Sequence, residues 1–114
     1  MRVLVCGGRK YCNYDLLANE LEKHPITVII HGCASGADTL ADFYGKNANL
    51  IIERYEPEWD KYGKSAGPKR NYRMLEEGKP DLVVATEGGH GTRHMVSIAT
   101  KAGVPVIYVQ GSRY

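Results

Sequence analysis

No apolar run in this chain approaches the roughly 18–20 residues that a membrane-spanning helix needs, so neither a span nor a membrane partner is expected. Cysteine is scarce. Cys6, Cys12 and Cys33 are an odd number with no Cys-x-x-Cys spacing, which rules out complete disulfide pairing and points to a reducing, cytoplasmic compartment. An excess of charge of one sign is also missing, since 15 Lys and Arg face 13 Asp and Glu for a net charge of +2. Acids and bases are interspersed, without the basic stripe of a nucleic-acid-binding domain, and nucleic acid is not expected as the main partner. Met1-Arg2-Val3-Leu4-Val5 enters an apolar run at once, so no signal peptide is expected. Two nucleotide fingerprints are missing as well. The most glycine-rich loop, Gly88 to Thr92, neither ends in Gly-Lys-Ser/Thr nor reads Gly-x-Gly-x-x-Gly, which argues against an ordinary P-loop NTPase or NAD dehydrogenase.

What is present is alternation. At 114 residues the chain reads as one domain, residues 1–114, large enough to bury a core without staples. Val3 to Cys6, Ile26 to Ile30, Leu50 to Ile52, Leu82 to Ala85 and Val104 to Val109 read as strands, short and rich in β-branched residues. Between them lie amphipathic stretches. One is capped by Asn13 and carries Leu16, Leu17 and Leu21, and one opens at Ser35 or Gly36. A third starts at Pro68 and ends before Gly78, and a fourth runs from Arg93 to Ala102 with Gly103 at its C-cap. Residues 53–68 form a long, irregular loop with one short helical turn, and loops of that length are usually functional or disordered. Strands separated by helices imply a parallel α/β sheet, here a Rossmann-like three-layer sandwich with strand order 3-2-1-4-5.

In such a sheet a ligand sits beyond the carboxyl ends of the strands, where the strand order reverses. That point lies between the first and fourth strands, and glycine-rich loops follow both. Gly7-Gly8-Arg9 follows the first, and Gly88-Gly89-His90-Gly91-Thr92 follows the fourth. The loop from His31 and Gly32 through Ser35 and Gly36 to Asp38 lies alongside. Glycines let a backbone pass close to an anion, and the free N–H groups of a first helical turn point at it. The pattern predicts a tight turn with positive φ at Gly88 and Gly89, close approach at Gly91, and a cap and hydroxyl donor in Thr92. Arg9 offers bidentate recognition of phosphate or carboxylate. Asp38, near a helix start, suits either a ribose hydroxyl or the helix dipole. Lys69, Arg70 and Asn71 put two cations and an amide in a helix's first turn, against the dipole, a conflict that an anionic ligand resolves.

His90 and His94 are four apart, but neither a thiol pair nor a carboxylate completes a ligand set, so no metal and no cofactor is expected. His31, at a strand end, fits a hydrogen-bonded place in the wall of the site. Trp59 and Tyr62 suit packing under the long loop or stacking on a base.

These residues, with Trp59-Asp60-Lys61-Tyr62-Gly63-Lys64-Ser65-Ala66-Gly67-Pro68-Lys69-Arg70-Asn71, resemble in order and spacing the YspA/YpsA-like branch of the SLOG superfamily. The resemblance covers most of the chain from Val3 to Val109. It implies a Rossmann-like domain with a site for nucleotides or nucleotide-derived molecules. In some related branches it also implies a sensor role in nucleotide signalling or conflict systems, including phage and host defence. A cousin branch, the LOG-type cytokinin-activating enzymes, hydrolyses nucleoside monophosphates with a glutamate three residues after the motif threonine. Here that position is Met95, which can neither polarise water nor stabilise an oxocarbenium charge. The sequence therefore reads first as a nucleotide-binding module, with N-glycosidic hydrolysis as the alternative. Association as a two-fold homodimer is also expected.

Overall fold

In the computed structural model, which describes residues 1–109, five strands and the helices between them build the expected sheet. The strands are β1 (Arg2–Cys6), β2 (Val28–His31), β3 (Ile51–Arg54), β4 (Leu82–Ala85) and β5 (Val106–Tyr108). The helices are α1 (Tyr14–Glu22), α2 (Ala37–Asn47), α3 (Trp59–Tyr62), α4 (Ala66–Glu76) and α5 (His90–Lys101), with a 3-10 turn over Gly63–Ser65. The order is β3-β2-β1-β4-β5 and every pairing is parallel. Residues 110–114, part of the expected domain, lie outside the described residues.

The apolar alternation explains the layers. Leu4, Ile30, Val83 and Ala85 point to the face that Met74 of α4 and Met95 and Ile98 of α5 cover. Val3, Val5, Ile29 and Val84 point to the opposite face, onto Leu17 and Leu21 of α1 and Ala41 of α2. β1, β2 and β4 are buried on both faces, which is why their sequences are continuous apolar runs. Each fully buried Leu, Ile or Val contributes about 1.5–3 kcal/mol by leaving water. β3 is an edge strand, and Ile51 is correspondingly 64% exposed. No helix of the described residues is long and apolar enough to cross a membrane.

Element ends differ from the sequence expectation in instructive places. β2 starts two residues later than Ile26, because the Ile26 N–H bonds back to His24 O and the Thr27 N–H donates to Met1 O. α4 begins at Ala66 rather than Pro68, so the proline lies inside the first turn, where its missing N–H costs nothing. α5 begins at His90 rather than Arg93, which takes Gly91 and Thr92 out of the loop and into the helix. The Asn13 cap is present, its side chain accepting from the Leu16 N–H, and Gly103 has the left-handed φ of 79°.

Candidate ligand-binding site

The carboxyl ends of β1, β2 and β4 share one rim, and the loops that leave them are stitched together by the backbone. The Gly8 N–H donates to Glu87 O at 2.7 Å, and the Gly8 carbonyl accepts from the Ala37 N–H at 3.2 Å. The Ser35 hydroxyl donates to Arg9 O at 3.2 Å. These approaches, rather than special dihedrals, explain most of the glycines. A methyl group on Gly7 would lie 1.8 Å from the Thr86 hydroxyl, and one on Gly88 would lie 2.2 Å from that of Thr92. Gly88 and Gly89 do not have the positive φ expected of them; in these loops Gly36 does, at 76°. The turn after β4 is tight because Gly8 and Thr92 crowd Gly88, so the need for glycine is steric.

Past this junction opens a cleft of about 410 Å³. It is lined by Gly7 and Gly8, by Gly89 to Thr92, by Asp38, Arg70 and Asn71, and by the exposed Arg9. The first backbone bond of α5 runs from the Arg93 N–H to Gly89 O, so the amides of His90, Gly91 and Thr92 have no intrahelical acceptor. No side chain caps this end and no acidic residue stands in its first turn. Thr92 is the third helical residue and not the cap. Gly89 and Gly91 face open space: nothing lies within 4 Å of where a Cβ would stand on either. The positive end of the helix dipole is left bare beside a guanidinium, an arrangement suited to a phosphate or another small anion.

The second loop is built differently. Its amides are already engaged: those of Gly32 and Ala34 donate to Asp38 Oδ2 at 3.0 and 3.2 Å, and that of Cys33 donates to His31 Nδ1 at 3.0 Å. Burial pushes the Asp38 carboxyl up. The two amides and the charges of His31 and Arg70 pull it the other way without cancelling the shift. Arg70 donates to Gly32 O and, through Nε at 3.0 Å, to Asn71 Oδ1. Burial lowers its pKa while Asp38 holds the charge in place, and arginine stays protonated at any ordinary pH. Asn71 is buried, and its amide nitrogen reaches Gly91 O at 3.2 Å and His94 Nδ1 at 3.0 Å, tying α4 to the first turn of α5.

Six of the candidates do not line the cleft: Gly32 and Ser35 wall a neighbouring hollow, Gly36 and Gly88 are packed into the loop junction, and Lys69 and His31 stand apart. Lys69 lies over the Tyr62 ring, its ammonium 4.7 Å from the centroid, and lines a separate surface hollow with Glu56 and Glu58. His31 is buried behind the second loop, with Nε2 2.7 Å from Asp42 Oδ2. Asp42 escapes sequence reasoning altogether. It accepts from Arg54 Nε at 2.7 Å and pairs with Lys46 at 3.3 Å, so it braces the end of β2, the second loop and β3. Only its i, i+4 spacing to Lys46 is visible locally; His31 and Arg54 come to it across the fold. Among the described residues no group of three or more His, Cys, Asp or Glu is gathered as a metal cluster.

Arg54 first, then His31 and Lys46, hold the Asp42 carboxyl far below the usual carboxylate range. Its native pKa is depressed, so its contribution is complete above the unfolded value of about 4 and is lost as the pH falls from there. Asp42→Asn is expected to lower the urea midpoint at neutral pH, with the difference from the parent chain shrinking at about pH 3. A gap that stays constant between the two conditions would refute this role.

Fold and cleft define a Rossmann-like domain whose glycine-lined rim faces a cationic hollow. Comparison with known proteins gives the class a family. The model of the YspA, cpYpsA-related SLOG family matches residues 1–62, just over half of the chain. The gene 61 protein of Mycobacterium phage D29 is 38% identical over 118 aligned positions, covering 93% of this chain and 94% of that protein. The chain belongs to the YspA, cpYpsA-related SLOG family. Membership fits nucleotide-related binding in general terms. Met95 faces the core from α5, buried with Leu4, Met74 and Ala99.

Proposed function

We propose that the cleft binds a nucleotide or nucleotide-derived phosphorylated small molecule, and that the domain acts as a ligand sensor. The observation that carries the reading is the uncapped start of α5, with Gly89 and Gly91 bare and the Arg70 and Arg9 side chains at the same opening. Phosphate oxygens would take the amides of Gly91 and Thr92, the guanidinium groups would neutralise the charge, and Asp38 would orient Arg70 and the second loop. The reading stops at binding. The carboxylate nearest the cleft is engaged with two backbone amides, and Met95 supplies no acid or base.

Thermal unfolding in the presence of inorganic phosphate, AMP, ADP and ADP-ribose tests it. Ligand present at 100 times its Kd stabilises a fold by about 2.7 kcal/mol, which for a domain of this size is a rise of about 10 °C in Tm. A flat response to all four compounds at millimolar concentration would end the proposal.

A further inference from the structure

The cleft does not stop at its two arginines. Arg9, Arg70 and Ala34 also wall a second hollow, of about 420 Å³, on the other side of the guanidinium groups. Its far side is Trp59, with Pro57 and the loop from Gly32 to Ser35 between. The two hollows therefore adjoin as neighbouring lobes along Arg9, Ala34 and Arg70. One lobe ends at the bare start of α5 and the other at an indole.

That indole is unusually available. Trp59 is 48% exposed. It rests on the start of α4, where a Cβ on Gly67 would lie 3.5 Å from Cη2, and it meets no other ring and no cation among the described residues. Tyr62, three residues on, differs: the ammonium groups of Lys61 and Lys69 lie 5.1 and 4.7 Å from its ring centroid. Of the two aromatic residues of α3, one ring is occupied by the protein's own cations and the other is open. An indole left half in water forgoes apolar burial that a planar partner would restore.

We propose that the second lobe is a base subsite, in which the base of a nucleotide stacks on Trp59 while its phosphate occupies the start of α5. Arg9 and Arg70 then lie along the sugar and phosphate between the lobes. This rests on the anion-binding reading and deepens it, because it makes Trp59 the residue that distinguishes a nucleotide from a sugar phosphate or a bare anion. Base-on-aromatic stacking is largely indifferent to sequence, so the indole selects for a planar base and leaves the choice among bases to hydrogen bonds at its edge.

Trp59 is the chain's single tryptophan among eight tyrosines, so its emission can be excited selectively. AMP is expected to quench it, whereas ribose 5-phosphate should raise Tm and leave the emission unchanged. Trp59→Ala should weaken AMP by roughly tenfold, towards the affinity of ribose 5-phosphate, with ribose 5-phosphate itself unaffected. Trp59→Phe, which keeps a ring, should retain most of the difference. Equal affinity for AMP and ribose 5-phosphate, with the emission unmoved by either, would overturn the base subsite and leave the anion site standing. No binding of either compound would overturn both.

Discussion

Replacing Gly36 with alanine is expected to cost this fold about 2–5 kcal/mol, the sum of a left-handed backbone and an overpacked contact. Gly36 has a φ of 76°, and a methyl group there would lie 2.1 Å from the Gly8 carbonyl oxygen and 2.6 Å from the Arg9 backbone. Neither neighbour can yield cheaply. The Gly8 carbonyl is the acceptor that joins α2 to the first loop through the Ala37 N–H, and moving it drags the junction to Glu87. Against a total stability of about 5–15 kcal/mol such a loss is large. Gly103 supplies the control. Its φ is 79°, yet nothing lies within 4 Å of its missing Cβ, so Gly103→Ala should incur only the backbone strain, about 1–2 kcal/mol. Urea denaturation of the two variants separates the effects. Equal losses would mean that the three loops are not locked through Gly36.

Gly89→Asp should do the opposite, leaving the fold intact and closing the site. Gly89 is the N-cap of α5, with an ordinary negative φ of −96° and no atom within 4 Å of the place a Cβ would take. Asp is a preferred N-cap, and its charge favours the helix dipole, so stability should hold or rise by about 0.5–1 kcal/mol. Its carboxylate would satisfy the same free amides that a phosphate is proposed to use and would repel the ligand. The ligand-induced rise in Tm should therefore vanish, with affinity down by more than about tenfold, or 1.4 kcal/mol. Gly89→Asn caps without charge, so it should lose less affinity than Gly89→Asp. A Gly89→Asp protein that is both stable and still responsive to AMP would place the anion elsewhere.

How far the sequence foretells this arrangement depends on how local each cause is. The continuous apolar runs at Val3–Cys6 and Leu82–Ala85 belong to strands buried on both faces, and runs of four residues ahead of glycine-rich loops are too short for a core helix. Right-handed crossovers limit the strand orders available, and the place where the order reverses indicates the rim on which the loops must meet. The glycine stretches mark that rim correctly, although for the wrong reason at Gly88. Crowding by the Thr92 hydroxyl and the Gly8 backbone looks, in sequence, the same as a demand for positive φ. What stays hidden is which groups each polar side chain captures, whether near in sequence or far. The capture of the Gly32 and Ala34 amides by Asp38 turns the second loop from a cradle into a brace. Asn71 meets α5 at Gly91 across 20 residues, and Asp42 gathers His31 and Arg54 from two strand ends. Lys69 and Arg70 are adjacent in sequence, yet helical rotation sends one to Tyr62 and the other into the cleft. The irregular stretch between β3 and α4 carries the one short helical turn expected of it, at Trp59–Tyr62, but a single turn of four residues has no periodicity from which its position could be read.

The central claim is that free backbone amides at the start of α5, together with Arg70 and Arg9, hold a phosphate. Proton–nitrogen correlation spectra recorded during a titration with AMP test it amide by amide. The largest, saturable shifts are expected on His90, Gly91 and Thr92, accompanied by Arg9 and the Arg70 guanidinium, with the amides of Gly32 and Ala34 moving little because Asp38 already holds them. Shifts that centre on another face of the sheet, or that spare the first turn of α5, would contradict it.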